Sequence, residues 1–477
     1  MRFSEYFELE RQQAFLDFVD IPMNTDLPVF VDPTALRSMN SKFAQECASL
    51  IQHFFETILS HMKSGRNKEA VALLSSLNER NEFRLGYSKG RPRGHAFGAK
   101  SAASVWGALA KSAASTSGLL RDLEDSCLLI EGVGRDMISD AVCNIIRGPL
   151  IRYTQSACGY YGVPLTADIP TGPVWDVKAG KWSQSFSPLP MTTSGKIILV
   201  PKIFVRQRLS YEMDEYYRHY LLPEMQRDEM ERKTGLVELL RDGRKRVTKK
   251  KLMENYGADK LAIIRETLKH PQALDDYRAA KSKDSSLPLG NAKLSELENA
   301  PTINWDKTLS ELKKLPVGNE AASQYEDLIE KILSAAFYPS LTYPTKQHEL
   351  HQGRKRVDIT YTNEAKTGFF AWLSSHYSCA FIFVECKNYG SELGNPELDQ
   401  ISGRFSPSRG QVGLLICRKL KDKALMERRC KDTAQDQRGF IIVLTDEEIF
   451  EIVDGVKSQV LPSAYPLLTR KFRQLVD

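Results

Sequence analysis

Asp358 in GRKRVDITY and Glu385 and Lys387 in FIFVECKNY have the types and spacing that metal-dependent phosphodiester hydrolysis requires. Two carboxylates supply hard oxygen ligands for Mg²⁺, with Mn²⁺ as a substitute, and leave positions for water and phosphate. The cation lowers the pKa of its water and offsets charge on the phosphate, while a neighbouring lysine orients or helps activate that water and stabilises the same charge. Successive strand residues point to opposite faces, so Glu385 and Lys387 emerge together and Cys386 points away. An E-x-K pair alone is a weak signal, because a solvated strand edge produces it often. Here it closes an apolar run, where unpaired charge is expensive and usually has a function or a partner.

The preceding helical segment, AASQYEDLIEKILSAAF, offers a further acid. At helical spacing Ala322, Tyr325, Leu328, Ile329, Ile332, Leu333 and Ala336 form one apolar arc. Glu326 lies at its edge, nearer the core than Asp327 or Glu330, which places it as a metal-water or accessory ligand.

The elements that must position these residues alternate. A helix over 321–337 precedes a charged hairpin-like stretch ending RVDITY; then come FIFVECK, a helix near 396–403, GLLICR, a helix over 424–437, FIIVLT and a helix beginning DEEIFEIV. The short runs FIFV, GLLIC and FIIVL read as strands covered on both faces. Residues 318–477 are therefore predicted as an α/β domain, a central mixed sheet flanked by helices. The connection TNEAKTGFFAWLSSHYS is longer than a tight hairpin needs; its Phe369, Phe370 and Trp372 fit a substrate loop or a packing contact. Upstream, 1–205 reads as a mixed α+β unit for recognition or regulation, 206–283 as a helical basic region and 284–317 as a linker with one helix near 307–315. Within the first unit the patterning predicts a strand at 28–31, helices over 42–62, 67–77 and 101–120, a strand, Gly turn and long helix over 127–155, and a strand at KIILVPKIFV bulged by Pro201.

The chain has 66 Lys and Arg against 60 Asp and Glu, a net +6 that hides two basic windows. RDGRKRVTKKK carries Arg241, Arg244, Lys245, Arg246, Lys249, Lys250 and Lys251 against one acid, and RLGYSKGRPRGHAFGAK carries Lys89, Arg91 and Arg93 among five basic residues and no acid. If helical, the first window extends about 16 Å, about two Debye lengths at physiological salt, a costly concentration of like charge without an anionic partner. These ten residues are the candidate nucleic-acid contacts. The glycines of the second window allow close approach to phosphate, and they fit a surface loop equally well. Neither window interleaves the aromatics that stack unpaired bases, which favours duplex backbone contact.

The order E…D…ExK, followed by a helix carrying Gln400 and two apolar strands, resembles the PD-(D/E)XK nuclease superfamily, in particular its Mrr-like restriction-endonuclease branch. The resemblance covers about the last 160 residues, and Val357 stands where a proline often precedes the Asp. It implies a restriction-endonuclease-like fold in which Asp358 and Glu385 bind metal, Lys387 serves catalysis, Gln400 supports the site and Glu326 is the first-helix acid. It further implies a DNA endonuclease of prokaryotic restriction or anti-phage defence, with dimerisation as a plausible route to cutting two strands. Two alternatives stay open: a catalytically idle nucleic-acid-binding or sensor protein on a nuclease-like scaffold, and a nuclease directed at RNA.

Other classes recede. TTSGKII departs from a phosphate-binding loop, with Pro190 for the first Gly and Ile197 after the Lys; any NTP-driven step would fall to a separately encoded ATPase or sensor protein. His348 and His351 lack a third metal ligand. Eight cysteines without a C-x-x-C pair, no signal-like start and no bilayer-length apolar run lead to the expectation of a reduced cytoplasmic protein without membrane association.

Overall fold

Five short segments of the C-terminal part pair into one sheet in the computed structural model, which describes residues 1–77, 80–86, 119–130, 132–283, 287–350, 355–389, 393–458 and 463–477. The strands are β1 (Leu341–Leu350), β2 (Lys355–Asn363), β3 (Phe381–Lys387), β4 (Val412–Cys417) and β5 (Phe440–Thr445). They lie in the order β5-β4-β3-β2-β1. The first three form an antiparallel meander, and β3, β4 and β5 run parallel. Helices flank them: α1 (Ala322–Ala336), α2 (Gly368–His376), α3 (Asn395–Ser402), α4 (Lys423–Gln435), α5 (Asp446–Ser458) and α6 (Pro466–Val476). Parallel neighbours require crossovers, which α3 and α4 supply. Every residue of β4 is buried, as expected for a strand covered on both faces.

The two faces have different occupants. Tyr361 on β2 pairs with Ile382 on β3, and its hydroxyl lies 2.9 Å from Ser334 Oγ and 3.2 Å from the Glu330 carbonyl of α1. The Ile382, Val384 and Cys386 face is therefore the α1 face. On the other face Ile401 of α3 closes on Gly413 of β4, where a Cβ would lie 2.7 Å from Ile401 Cδ1. The long connection after β2 is α2, with Phe369, Phe370 and Leu373 buried in the core and Trp372 exposed.

The N-terminal and middle segments share a single large core running from Phe3 to Tyr338, with Tyr216, Leu252, Leu274 and Tyr277 of the basic region inside it. Patterning predicted a helical 206–283 region, but Glu238–Leu239 and Lys245–Arg246 form an antiparallel hairpin inside the basic window. Its turn contains Asp242-Gly243, and Gly243 adopts φ +81°, a backbone region open to glycine at little cost. The 284–317 segment carries two helices, Asn291–Leu297 and Trp305–Lys314, and Leu309 and Leu312 enter the C-terminal core.

The first unit departs from its patterning at several places. The Pro- and Gly-rich stretch after Gly162 forms a long hairpin, Thr166–Asp176 with Lys181–Leu189, secured by the cross-strand pair Trp175 and Trp182 with ring centroids 5.4 Å apart. The predicted strand at Cys127 is helical (Asp125–Leu129), and the long helix is two, Arg135–Ile145 and Arg147–Tyr161. In KIILVPKIFV, the chain turns through a short 3₁₀ segment, Lys202–Phe204, before Val205–Arg206 pairs with Phe30–Val31; Pro201 removes a ladder donor. The helix predicted over 101–120 lies outside the described residues except for its last two positions. Among the described residues no helix is long and apolar enough to cross a membrane.

Buried acids of the C-terminal part find their partners in the N-terminal part. Glu330, fully buried, accepts from Arg11 Nη1 at 2.8 Å. Glu364 accepts from the Asn40 and Ser41 amides at 2.7 and 3.0 Å, at the start of the helix Lys42–Lys63. Asp17 in turn accepts from the Tyr343 amide at 3.0 Å. Removing one partner strands a buried charge. Arg11→Ala is expected to cost about 3 kcal/mol, at the low end of that class because Lys346 lies 3.9 Å from Glu330. Urea unfolding of the full chain reads this, and a midpoint unchanged from wild type would contradict it.

Candidate active site

The site begins where the β2–β3 ladder stops. The last pair is Ile359 with Val384, and Asp358 lies one residue beyond it. There the Cys386 amide donates to Asp358 Oδ2 at 2.8 Å, a side-chain substitute for the next ladder bond that holds the carboxylate against the end of β3.

Glu385 and Lys387 leave β3 on the face opposite α1, as their alternation with Cys386 requires. Glu385 is fully buried and Lys387 nearly so. Lys387 Nζ donates to Glu385 Oε1 at 3.1 Å and to Gln400 Oε1 at 3.1 Å, and Gln400 Nε2 donates to Glu385 Oε1. Gln400 arrives from α3, whose Leu398 and Ile401 are buried. Glu385 Oε2 is buried with no hydrogen-bond partner.

Asp358, Glu385, Lys387 and Gln400 are thus brought together; Glu326 approaches from the other face. It is half-buried on α1. Burial pushes the Cys386 thiol well up, and the charges of Asp358 and Glu326 add to the shift. The order of burial along α1 reverses the sequence expectation: Glu330 is inside and Glu326 at the margin. Helical spacing alone does not contain Arg11, which makes Glu330 a tolerable buried charge. Among the described residues no group of three or more His, Cys, Asp or Glu side chains could hold a metal ion. The predicted ligand set of Glu326, Asp358 and Glu385 is accordingly not assembled; Asp358 and Glu385 are the acids that share one face.

Electrostatics set the protonation states. Burial raises the Asp358 carboxyl, against the Cys386 amide and the charges of Lys387 and Arg404. Glu385 is raised by burial and then by Asp358, against Lys387 and Arg404. Burial opposes the charge on Lys387, but the Glu385 ion pair and Asp358 outweigh it and hold the ammonium above its ordinary value. A buried carboxyl raised by a neighbouring acid and left with an unpaired oxygen is a place where a divalent cation relieves repulsion and satisfies an orphan acceptor. The donor set fits Mg²⁺ or Mn²⁺, which take carboxylate oxygens and keep water and phosphate as further ligands.

Arg404 is a member that sequence reading passed over. It stands four residues after Gln400, just past the end of α3, and its charge acts on both acids. The spacing from Gln400 was a usable signal, but α3 stops at Ser402, so helical periodicity does not carry it there.

The basic window divides between the hairpin and the start of the helix Lys249–Tyr256, capped by the Thr248 hydroxyl. Arg241, Arg244, Lys245 and Arg246 are exposed. Asp242 pairs with Arg244 at 2.6 Å, and Glu238 pairs with Arg246 and Lys251 at 3.2 and 2.9 Å. Lys250 reaches Glu254 at 3.8 Å, and Lys249 donates to the Arg218 carbonyl. Arg241 and Lys245 have no ion pair among the described residues. Lys89, Arg91 and Arg93 lie outside the described residues, and so do His351 and the side chain of His348.

Residues 8–212 match the family described as Domain of unknown function (DUF8370). The chain is also 25% identical over 169 residues to the putative transposon gamma-delta 80.3 kDa protein of Escherichia coli (strain K12), a match covering 35% of this chain and 23% of that protein. No solved structure matches.

Proposed function

We propose that the C-terminal part is a metal-dependent endonuclease of the PD-(D/E)XK type acting on DNA, with the N-terminal and middle parts holding or recognising the substrate. The observation that carries this reading is the convergence of Asp358, Glu385, Lys387 and Gln400 at the end of β3, with one buried Glu385 oxygen left unpaired. The α1-β1-β2-α2-β3-α3-β4 order, an antiparallel meander followed by a parallel strand, supports the restriction-endonuclease-like fold that the sequence motifs imply.

Asp358 and Glu385 would hold the cation, which when bound acidifies water and draws charge from the phosphate. Lys387 stays protonated beside Glu385, so its part is that of a fixed positive charge and hydrogen-bond donor toward a phosphate oxygen or the attacking water. Gln400 fixes the Lys387 ammonium through its Oε1 and the Glu385 carboxylate through its Nε2, which limits reorganisation as charge develops. The test is plasmid cleavage with Mg²⁺ and with Mn²⁺, beside a matched RNA digest. Cleavage of DNA alone is expected; cleavage of RNA alone redirects the substrate, and no cleavage of either overturns the enzyme.

A second reading has one specific observation in its favour. Lys387 and Gln400 already engage Glu385 Oε1, as in a closed scaffold that binds nucleic acid without cutting it. It predicts salt-sensitive binding without turnover. Under either reading, replacing Lys249, Lys250 and Lys251 by Gln is expected to reduce the slope of log K against log salt by about 0.9 for each duplex phosphate no longer neutralised. Filter binding at several salt concentrations measures the slope, and an unchanged slope removes these lysines from the interface.

A further inference from the structure

We infer that Arg404 is a binding site for a phosphodiester oxyanion of the substrate backbone, set at the edge of the Asp358–Glu385 pair; this rests on the nuclease reading above. The geometry starts from a rigid turn. Phe405, the next residue, is held between two glycines: a Cβ on Gly413 would lie 3.0 Å from its ring, and one on Gly439 2.2 Å. Its ring also lies 5.9 Å from that of Phe383 on β3. The Arg404 amide donates to the Ile401 carbonyl at 3.0 Å, and its own carbonyl accepts from Arg409 Nη2 at 3.3 Å. The backbone of Arg404 is therefore tied to α3, to the following turn and to the sheet face that carries Glu385.

Its side chain has the opposite character. No carboxylate pairs with the Arg404 guanidinium among the described residues, and its Nε is buried with no hydrogen-bond partner. A buried donor left unmade is costly, and an arginine carries a fork of donors matched to phosphate oxygens. Gln400, four residues before Arg404, meets Glu385, and Phe405, the next residue, lies against Phe383 on the face that carries Glu385; Lys387 takes the contact with Glu385, so Arg404 borders the acids yet is not consumed by them. Three roles then separate: the acids toward a cation, Lys387 toward the reacting centre, and Arg404 toward an anionic oxygen of the strand being cut or of the next phosphate.

The experiment uses the full chain and a short duplex that the wild type cuts. Arg404→Gln is expected to lower kcat/KM by about 10- to 150-fold, the range for a charge-assisted hydrogen bond, and Arg404→Lys to recover part of the loss. Melting temperatures of both variants serve as the folding control. A purely structural role is separated by binding in Ca²⁺ to duplexes bearing a neutral methylphosphonate at one phosphate at a time around the cut. The wild type should lose affinity at one such position, and Arg404→Gln should lose none further there. If the wild type cuts but no position shows this coupling, or if Arg404→Gln cuts normally, the inference is overturned while the nuclease reading stands. A wild type that neither cuts nor binds the duplex overturns the nuclease reading and the inference with it.

Discussion

Glu385→Gln is expected to abolish Mg²⁺-dependent cleavage, by about a thousandfold or more at ~1.4 kcal/mol per tenfold in rate. Glutamine keeps the size and one carbonyl oxygen but loses the charge that a hard divalent cation requires. The environment sharpens the expectation. Glu385 is fully buried, its Oε1 takes Lys387 and Gln400, and its Oε2 faces no protein donor. Without that charge Asp358 is left to hold the cation alone, because Glu326 belongs to the α1 side. Plasmid nicking with Mg²⁺ measures the effect. Full activity in Glu385→Gln would mean that the acids at the end of β3 are not the catalytic pair.

Lys387→Ala is the second large effect, expected at about 100- to 1,000-fold in kcat, the cost of one preorganised donor at a developing oxyanion. Its pH signature differs from that of an acid. The Lys387 charge lowers the pKa of both Asp358 and Glu385, against burial, which raises it. Without that charge both carboxyls rise further and hold their protons to higher pH. Metal binding needs them ionised, so the small residual rate of Lys387→Ala should still climb with pH where the wild-type rate is already level. A residual rate with the wild-type pH profile would contradict this role for the lysine.

Much of this site was legible in the sequence because its cues are local. FIFVECK announces a buried strand by its apolar run, and alternation places Glu385 and Lys387 on one face. The flanking apolar runs indicate the α/β order, and the structure has the mixed sheet with helices on both faces. Other features were hidden because they depend on residues far apart in the chain. Glu330 is buried by an arginine 319 positions away, so helical spacing ranked it behind Glu326. Asp358 is held by the Cys386 amide, a contact that exists only because the ladder ends at Ile359. Arg404 is presented by Phe405 resting on Gly413 and Gly439, which no periodicity links. The hairpin after Gly162 was masked by Pro170, Gly172 and Pro173, residues that usually mark loops; the two register shifts of this hairpin lie between Thr166 and Ile169 and between Pro170 and Pro173. By contrast, Asp242-Gly243 was a usable hairpin signal inside the basic window, outweighed there by the helical composition around it.

Mn²⁺ binding followed by electron paramagnetic resonance, in wild type, Asp358→Asn and Glu385→Gln, bears on the proposed cation site without requiring that the right substrate be known. Wild-type protein should take up Mn²⁺, Mg²⁺ should compete for it, and each substitution should weaken uptake by at least tenfold. Wild-type protein that leaves Mn²⁺ free in solution, or uptake unchanged in Asp358→Asn and in Glu385→Gln, would contradict the claim that Asp358 and Glu385 hold a catalytic cation.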